Sequence, residues 1–433
     1  MSAGVSIAVI GCGWAGLTCA AELTAAGHHV TLIESNTTPG GRARRVTLPT
    51  GLTCDNGQHL LLGAYSETLR QIGRVHPNPA SLFTRLPLTL VATRSYDQIA
   101  DIAVIGKAFP LLGLGLGLLG AKGLRLAQKM SLLGYLLRAV AHTDIDVTRT
   151  VAHDVASVAP AVRDRLLAPL CLAALNTPAS RASAKVFRNV LRAAFLSGTR
   201  GADMLIPAVD LSAAFPDAAV KWLEANGARV LLGETVMILN DLEQNVELVC
   251  RHFTEKFDHV VLAVGPQHVA RLLSPTPRWS NVARALSDLV YEPITTLYQT
   301  EFALREALPH PNLISVDDPI VQWVFHHKAR RMRAVVVSGA DAHEGKTLDD
   351  LRNDVAQRTG SLPSAWQGLT EKRATYSCTP QQHVRLATLP KPSGPIWLVG
   401  DYCYPNFPAT LESATRSGRG TADAIIAFVA ENS

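Results

Sequence analysis

Residues 5–34 constrain this chain more than any other stretch. Ser6-Ile7-Ala8-Val9-Ile10 is a short apolar run rich in β-branched side chains, the pattern of a strand buried on both faces. It runs straight into Gly11-Cys12-Gly13-Trp14-Ala15-Gly16, then into a helical stretch over residues 17–26 that Gly27 stops. His29-Val30-Thr31-Leu32-Ile33 reads as a second strand, and it ends in Glu34. A glycine triplet alone is weak evidence. Here it sits between a strand and a helix, with an acid about twenty residues further on, and that context marks a dinucleotide-binding βαβ unit.

Each position has a physical task. Gly11 permits the tight turn, Gly13 lets the backbone approach a pyrophosphate, and Gly16 lets the helix pack closely on the strand; Ala15 shares their turn. The helix N-terminus offers free N–H groups and a partial positive charge to phosphates. Glu34 accepts hydrogen bonds from ribose hydroxyls, and its charge disfavours a 2′-phosphate. Further on, Pro39-Gly40-Gly41-Arg42-Ala43-Arg44-Arg45 combines two glycines that let the backbone crowd a ligand with Arg42, whose guanidinium can fork onto pyrophosphate oxygens.

Residues 39–45 resemble the second phosphate-binding segment of the flavin amine oxidase and phytoene desaturase superfamily. Three stretches narrow the resemblance to the hydroxysqualene dehydroxylases, the squalene-associated FAD enzymes: residues 56–65 (Asn56-Gly57-Gln58-His59 leading to Tyr65), 169–178 (ending Leu175-Asn176-Thr177-Pro178) and 408–412. The resemblance implies one non-covalent FAD. Gly11, Gly13, Ala15, Gly16, Glu34, Gly41 and Arg42 would hold its dinucleotide, and Gly57 and Gln58 would run beside the flavin ring. Val236 would offer backbone contacts to adenine. Asp401, after Gly400, would serve the ribityl or pyrophosphate region, and the backbone at Thr410-Leu411 the pyrimidine. A helix N-terminus there stabilises negative charge on a reduced flavin. Cys403 is either the site of a covalent thioether or, the commoner case, a free thiol in a loop.

The implied reaction is reductive removal of the hydroxyl of hydroxysqualene to give squalene. The allylic C–OH is protonated and leaves as water, and hydride comes from the reduced flavin. Such a site must be dry, apolar and equipped with one acid. His59 and Tyr402 are the candidate donors, although His59 could equally be a structural histidine orienting its loop. Three alternatives stay open: a carotenoid or phytoene-type desaturase running the flavin the other way, an amine oxidase, and a non-catalytic module whose FAD is never reduced.

Composition excludes other classes. A formal charge of +5 fits weak attraction to anionic membranes but is no nucleic-acid footprint. The seven cysteines are scattered without a C-x-x-C pair, which argues against a disulfide framework and a zinc site. His326-His327 alternate across a strand and no acidic cluster completes a metal site. With no basic region before its first apolar run, the chain has no signal-peptide pattern, so a cytoplasmic setting at the inner membrane face is expected.

The most apolar region has a charge-free core over residues 108–121, bracketed by Lys107 and Lys122. It is short of the roughly twenty residues that span a bilayer. It is either an interfacial helix, with Leu114 and Leu118 toward lipid, or a wall of the substrate tunnel. Gly115-Leu116-Gly117-Leu118-Leu119-Gly120 repeats the fingerprint spacing without a strand that ends in an acid, so a single nucleotide site is expected, with electrons brought by an external donor. Helical spacing over residues 132–140, 161–174 and 182–196 carries no charged cluster, which suits an apolar isoprenoid substrate. Short strands follow over residues 230–232, 234–239, 246–250 and 259–264. The basic run 328–333 reads as a solvated edge, with a membrane-facing role as the alternative.

The expected fold is α/β. A Rossmann-type FAD-binding domain is assembled from residues 1–95, 204–290 and 391–433, and an inserted, mostly helical α+β substrate domain from 96–203 and 291–390.

Overall fold

The structure, a computed structural model, describes residues 4–94, 101–105, 110–142, 144–300, 313–327, 330–389 and 394–432. A five-stranded sheet runs in the order Arg229–Leu232, His29–Glu34, Ser6–Ile10, His259–Leu262, Ile396–Leu398. All its pairings are parallel. The central strand shows why its sequence is apolar without alternation. Ile7 and Val9 face a core shared with the helices Trp14–Ala25 and Leu411–Glu431, while Ala8 and Ile10 face a second core under an antiparallel layer, Val236–Asp241, Val246–Cys250 and Thr254–Phe257. Three separated chain segments therefore build one sheet.

A second, mixed sheet has seven strands: Gln367–Tyr376, Tyr291–Gln299, Met332–Ser338, Trp323–His327, Leu313–Val316, Thr89–Thr93 and Ile102–Ile105. The helices Leu126–Ala141, Ala168–Leu175 and Ala184–Leu196 share a core with its last strand through Ile102 and Val104. Thr89–Thr93 pairs in parallel with Leu313–Val316, so the chain enters this sheet several residues before the boundary expected at 95. A short apolar strand carries no mark of which sheet it joins.

The basic run corrects its sequence reading in part. It lies at the turn between Trp323–His327 and Met332–Ser338, two interior strands of the sheet, with Lys328 and Ala329 outside the described residues. Arg330 pairs with Asp55 at 2.6 Å, and the Arg333 guanidinium stacks 5.1 Å above the Trp366 ring. Carboxylate and aromatic partners from distant segments, invisible locally, partly shield Arg330 and Arg333, whereas Arg331 stays exposed as the sequence reading has it.

The apolar segment forms the helix Pro110–Leu119, which holds Gly115 and Gly117 of the repeated spacing and ends just before Gly120; positions 108 and 109 lie outside the described residues. Leu118 is buried in the helical core, whereas Leu112, Leu116 and Leu119 are 76%, 56% and 64% exposed. Among the described residues no helix is long and apolar enough to cross a membrane.

Candidate active site

The fingerprint loop is shaped by backbone crowding. Gly11 has φ +108°, and a methyl group there would lie 2.6 Å from the Ala263 carbonyl oxygen. A methyl on Gly16 would run into the Gly11 carbonyl oxygen. Gly13 starts the helix Trp14–Ala25, which has no side-chain cap and no acid in its first turn, and Ala15 is buried within that turn. The Gly40-Gly41 loop lies directly on this turn. Gly40 N–H donates to the Cys12 carbonyl at 2.8 Å, and a side chain on Gly41 (φ +61°) would stand 3.2 Å from Gly13 Cα. Bareness at Gly41 thus lets this loop of the chain close on the fingerprint turn at Gly13.

Glu34 is anchored at the mouth of the same loop. Its carboxylate accepts from Cys12 N–H at 2.8 Å and from Asn36 N–H at 2.9 Å. Glu234 N–H donates to the Glu34 carbonyl, which brings the start of the strand Val236–Asp241 beside it, with Val236 buried. Arg42 donates to Asp401 at 2.7 Å and to the Ala374 carbonyl at 2.9 Å. Gly400 must lack a side chain because the Tyr402 ring lies across it. Thr410 caps the C-terminal helix by accepting from Ser413 N–H at 3.2 Å, and Leu411 is its first helical residue. A bare helix N-terminus, two glycine loops in contact, an acid at their mouth and an Arg–Asp pair fit a dinucleotide diphosphate cofactor.

Against this cradle lies a cavity of about 340 Å³. Arg42, Gly57, Gln58, His59, Glu371 and Thr410 line its cofactor side, and Leu132, Leu136, Leu167, Leu170, Phe187 and Leu191 line much of the rest. The helix Ala168–Leu175 is bracketed by a π-turn, Arg163–Leu167, and by Asn176 in the left-handed region at φ +48°. Asn176 stitches it to the sheet, donating to the Glu292 carbonyl (3.3 Å) and Thr375 hydroxyl (3.0 Å) and accepting from Gly339 N–H (2.9 Å). Sequence reading gave Asn176 no role, although an Asn closing a helix before Thr-Pro signals such a cap.

The segment from Asp55 to His59 hangs from the seven-stranded sheet. The Tyr298 hydroxyl donates to the Asp55 carbonyl, Arg330 pairs with the Asp55 carboxylate, Asn56 donates to Glu371, and Gln58 N–H donates to the Thr296 hydroxyl. His59 Nδ1 is 3.0 Å from the Gly57 carbonyl, so Nδ1 carries the hydrogen and Nε2 is left to meet a ligand. Enclosure lowers the His59 pKa below the usual imidazole value, opposed in part by the Asp55 charge.

The two acid candidates are not brought together. His59 lines the cavity, while Tyr402 is buried in the core behind the parallel sheet, its hydroxyl 3.4 Å from the Val264 carbonyl, and does not line it. Tyr65 does line it; burial, and then Glu412, push its phenol well above the usual range. Burial, and then Asp401, likewise push up the Cys403 thiol, which keeps it protonated at neutral pH. Glu412, also given no role from sequence, accepts from Glu67 and Thr68 N–H and so locks the helix Ser66–Val75 to the C-terminal helix. His327 contacts Gln58, and among the described residues no three metal-ligating side chains cluster.

Residues 14–426 match the family model of flavin containing amine oxidoreductases. The chain belongs to this family. It is an FAD-dependent oxidoreductase. Members similar along the whole length are the hydroxysqualene dehydroxylases of Zymomonas mobilis, 28% identical over 96% of this chain and 97% of that protein, and of Rhodopseudomonas palustris, 29% identical over 98% of each. Among solved structures, cyclohexylamine oxidase from Brevibacterium oxydans shares the fold with a TM-score of 0.70 at 15% identity, covering 98% of this chain and 99% of that one.

Proposed function

We propose that this enzyme removes the hydroxyl of hydroxysqualene to give squalene, within hopanoid or triterpenoid synthesis. One observation carries the reading: an apolar cavity whose polar groups gather on its cofactor side, in a chain that matches hydroxysqualene dehydroxylases end to end. The leucines and Phe187 keep water from a carbon that becomes cationic as its C–O bond breaks. Arg42, Asp401 and the glycine loops would hold FAD, which in its reduced form supplies the hydride that replaces the hydroxyl. His59 holds the proton at Nε2 and passes it to the leaving oxygen, which departs as water. Its pKa lies below the ordinary imidazole value, so the acid form is the minor one at pH 7. Turnover should therefore rise as pH falls and level off below the His59 pKa. The Tyr65 hydroxyl is a second donor within the same cavity. Electrons would come from an external donor.

The direct test is anaerobic. Chemically reduced enzyme mixed with hydroxysqualene should form squalene in one turnover as the flavin re-oxidises. No squalene from reduced enzyme, together with a new double bond in a polyene from oxidised enzyme, would make it a desaturase. Acid precipitation should release the yellow cofactor, since the Cys403 thiol is held protonated.

The same reading sets the enzyme on the cytoplasmic face of a membrane, where its substrate dissolves. Leu112, Leu116 and Leu119 stand exposed on one helix and Leu126 and Met130 on the next, with Lys122 and Arg125 exposed between them. An apolar patch with basic edges suits an anionic lipid surface. Because Leu118 is buried, the informative substitutions are Leu112→Glu and Leu116→Glu. They should release the enzyme from anionic liposomes with its flavin intact, and unchanged sedimentation would remove the membrane from this account.

A further inference from the structure

Gln58 is held at both ends of its carboxamide. Its Oε1 is 2.6 Å from His327 Nε2, and its Nε2 donates to the His59 carbonyl at 3.0 Å. A carbonyl only accepts, so the amide nitrogen must face His59 and the amide oxygen must face His327. An amide oxygen also only accepts, so His327 bears its hydrogen on Nε2. The backbone is fixed as well, by the bond from Gln58 N–H to Thr296. His327 sits on an interior strand and is 5% exposed. Burial, and then Arg330 and His326, lower its pKa to about 4, so the ring is neutral at working pH. One hydrogen of the Gln58 amide is taken by His59. Gln58 lines the cavity, and its second hydrogen remains for a ligand there.

We propose that His327 is a positioning residue whose Nε2–H turns the Gln58 carboxamide nitrogen-first toward the cavity, so that Gln58 donates to the hydroxyl oxygen of a bound apolar alcohol. The assignment rests on the reading of the substrate as an alcohol. It adds a consequence. The bond exists for the alcohol and is lost with its oxygen, so the site prefers what it consumes over the hydrocarbon it releases.

The test reads binding rather than turnover. FAD-loaded, oxidised enzyme is titrated with hydroxysqualene and with squalene. Wild type should favour the alcohol, and Gln58→Met and His327→Phe should each reduce that preference about threefold to tenfold, the worth of one neutral hydrogen bond. Squalene affinity and flavin content should hold, and the double variant should be no worse than Gln58→Met alone. Additive losses, equal losses for both ligands, or a shifted flavin spectrum with the preference unchanged would overturn the proposal; the last would give Gln58 to the cofactor. Should His327→Phe not fold, Gln58→Met decides alone, since an undiminished preference overturns the assignment. Selective binding of the alcohol without squalene formation would sink the reaction proposed above and leave this assignment standing.

Discussion

The cofactor cradle and the substrate cavity are built on different principles. The cradle is backbone: Gly11, Gly16 and Gly41 matter for the side chains they lack, and Glu34 is held by N–H groups of its own neighbourhood. The cavity is side chains, and its polar groups are held by other side chains from far along the chain. The difference teaches where each fails. A cradle of crowded backbone fails when one methyl is added, whereas a cavity of leucines loses its chemistry when one imidazole is removed.

The largest expected effect is on the cavity side. His59→Ala should slow squalene formation about 10²–10⁴-fold, as loss of a general acid does, with flavin content unchanged. Equal loss of flavin would make His59 a structural part of the cradle and blur the contrast. On the cradle side, Gly16→Ala forces a methyl against the Gly11 carbonyl. It should cost about 3 kcal/mol or more in chemical denaturation and yield colourless protein. A yellow, stable Gly16→Ala enzyme would show that the fingerprint helix can move away from its strand.

Acid should find the cavity side too. The pKa of His327 is about 4 in the folded protein and returns to the ordinary 6.5 on unfolding. The unfolded chain therefore binds the extra proton first, and stability falls as pH drops from 6.5 to 4. The loss approaches about 3 kcal/mol and then levels off. Urea titrations across that window should show a shallower slope in His327→Phe by up to this amount, the other buried histidines keeping the rest. The smallest effect belongs to the cradle. Glu34→Ala should weaken FAD binding by about 1.5–3 kcal/mol, the worth of a charge-assisted hydrogen bond, and leave the alcohol preference of the cavity untouched.

The same contrast explains what the sequence made legible. The βαβ fingerprint is local, with strand, turn, helix and acid inside thirty residues, so Gly11, Gly16 and Glu34 fall where the spacing predicts. Arg42 was legible as a ligand for a diphosphate but not as the partner of Asp401, which lies 359 residues away. Residues 55–59 stand out in sequence as a segment expected beside a flavin. Their anchors do not, because Thr296, Tyr298, His327, Arg330 and Glu371 stand 238 to 315 residues further on. No short-range period encodes such pairings. For the same reason the run around Arg330 reads as a solvated edge, and the phenol of a Gly-Asp-Tyr loop reads as a donor although the fold sets Tyr402 behind the sheet. Leu118 and Leu112 are equally apolar on paper, and only packing tells which meets solvent.

The order of strands in the parallel sheet has a consequence for synthesis. One of its two edge strands, Ile396–Leu398, comes late in the sequence and is followed by Asp401 and the helix that packs against the fingerprint. A ribosome takes tens of seconds to reach that point at about 5–20 residues per second. Until then His259–Leu262 presents an open edge, a template for pairing between nascent chains. Arg42 meanwhile waits for its carboxylate. A translation product cut short before Ile396 would carry the complete glycine fingerprint and still lack Asp401 and the helix Leu411–Glu431, so colour in this protein reports that synthesis went past them.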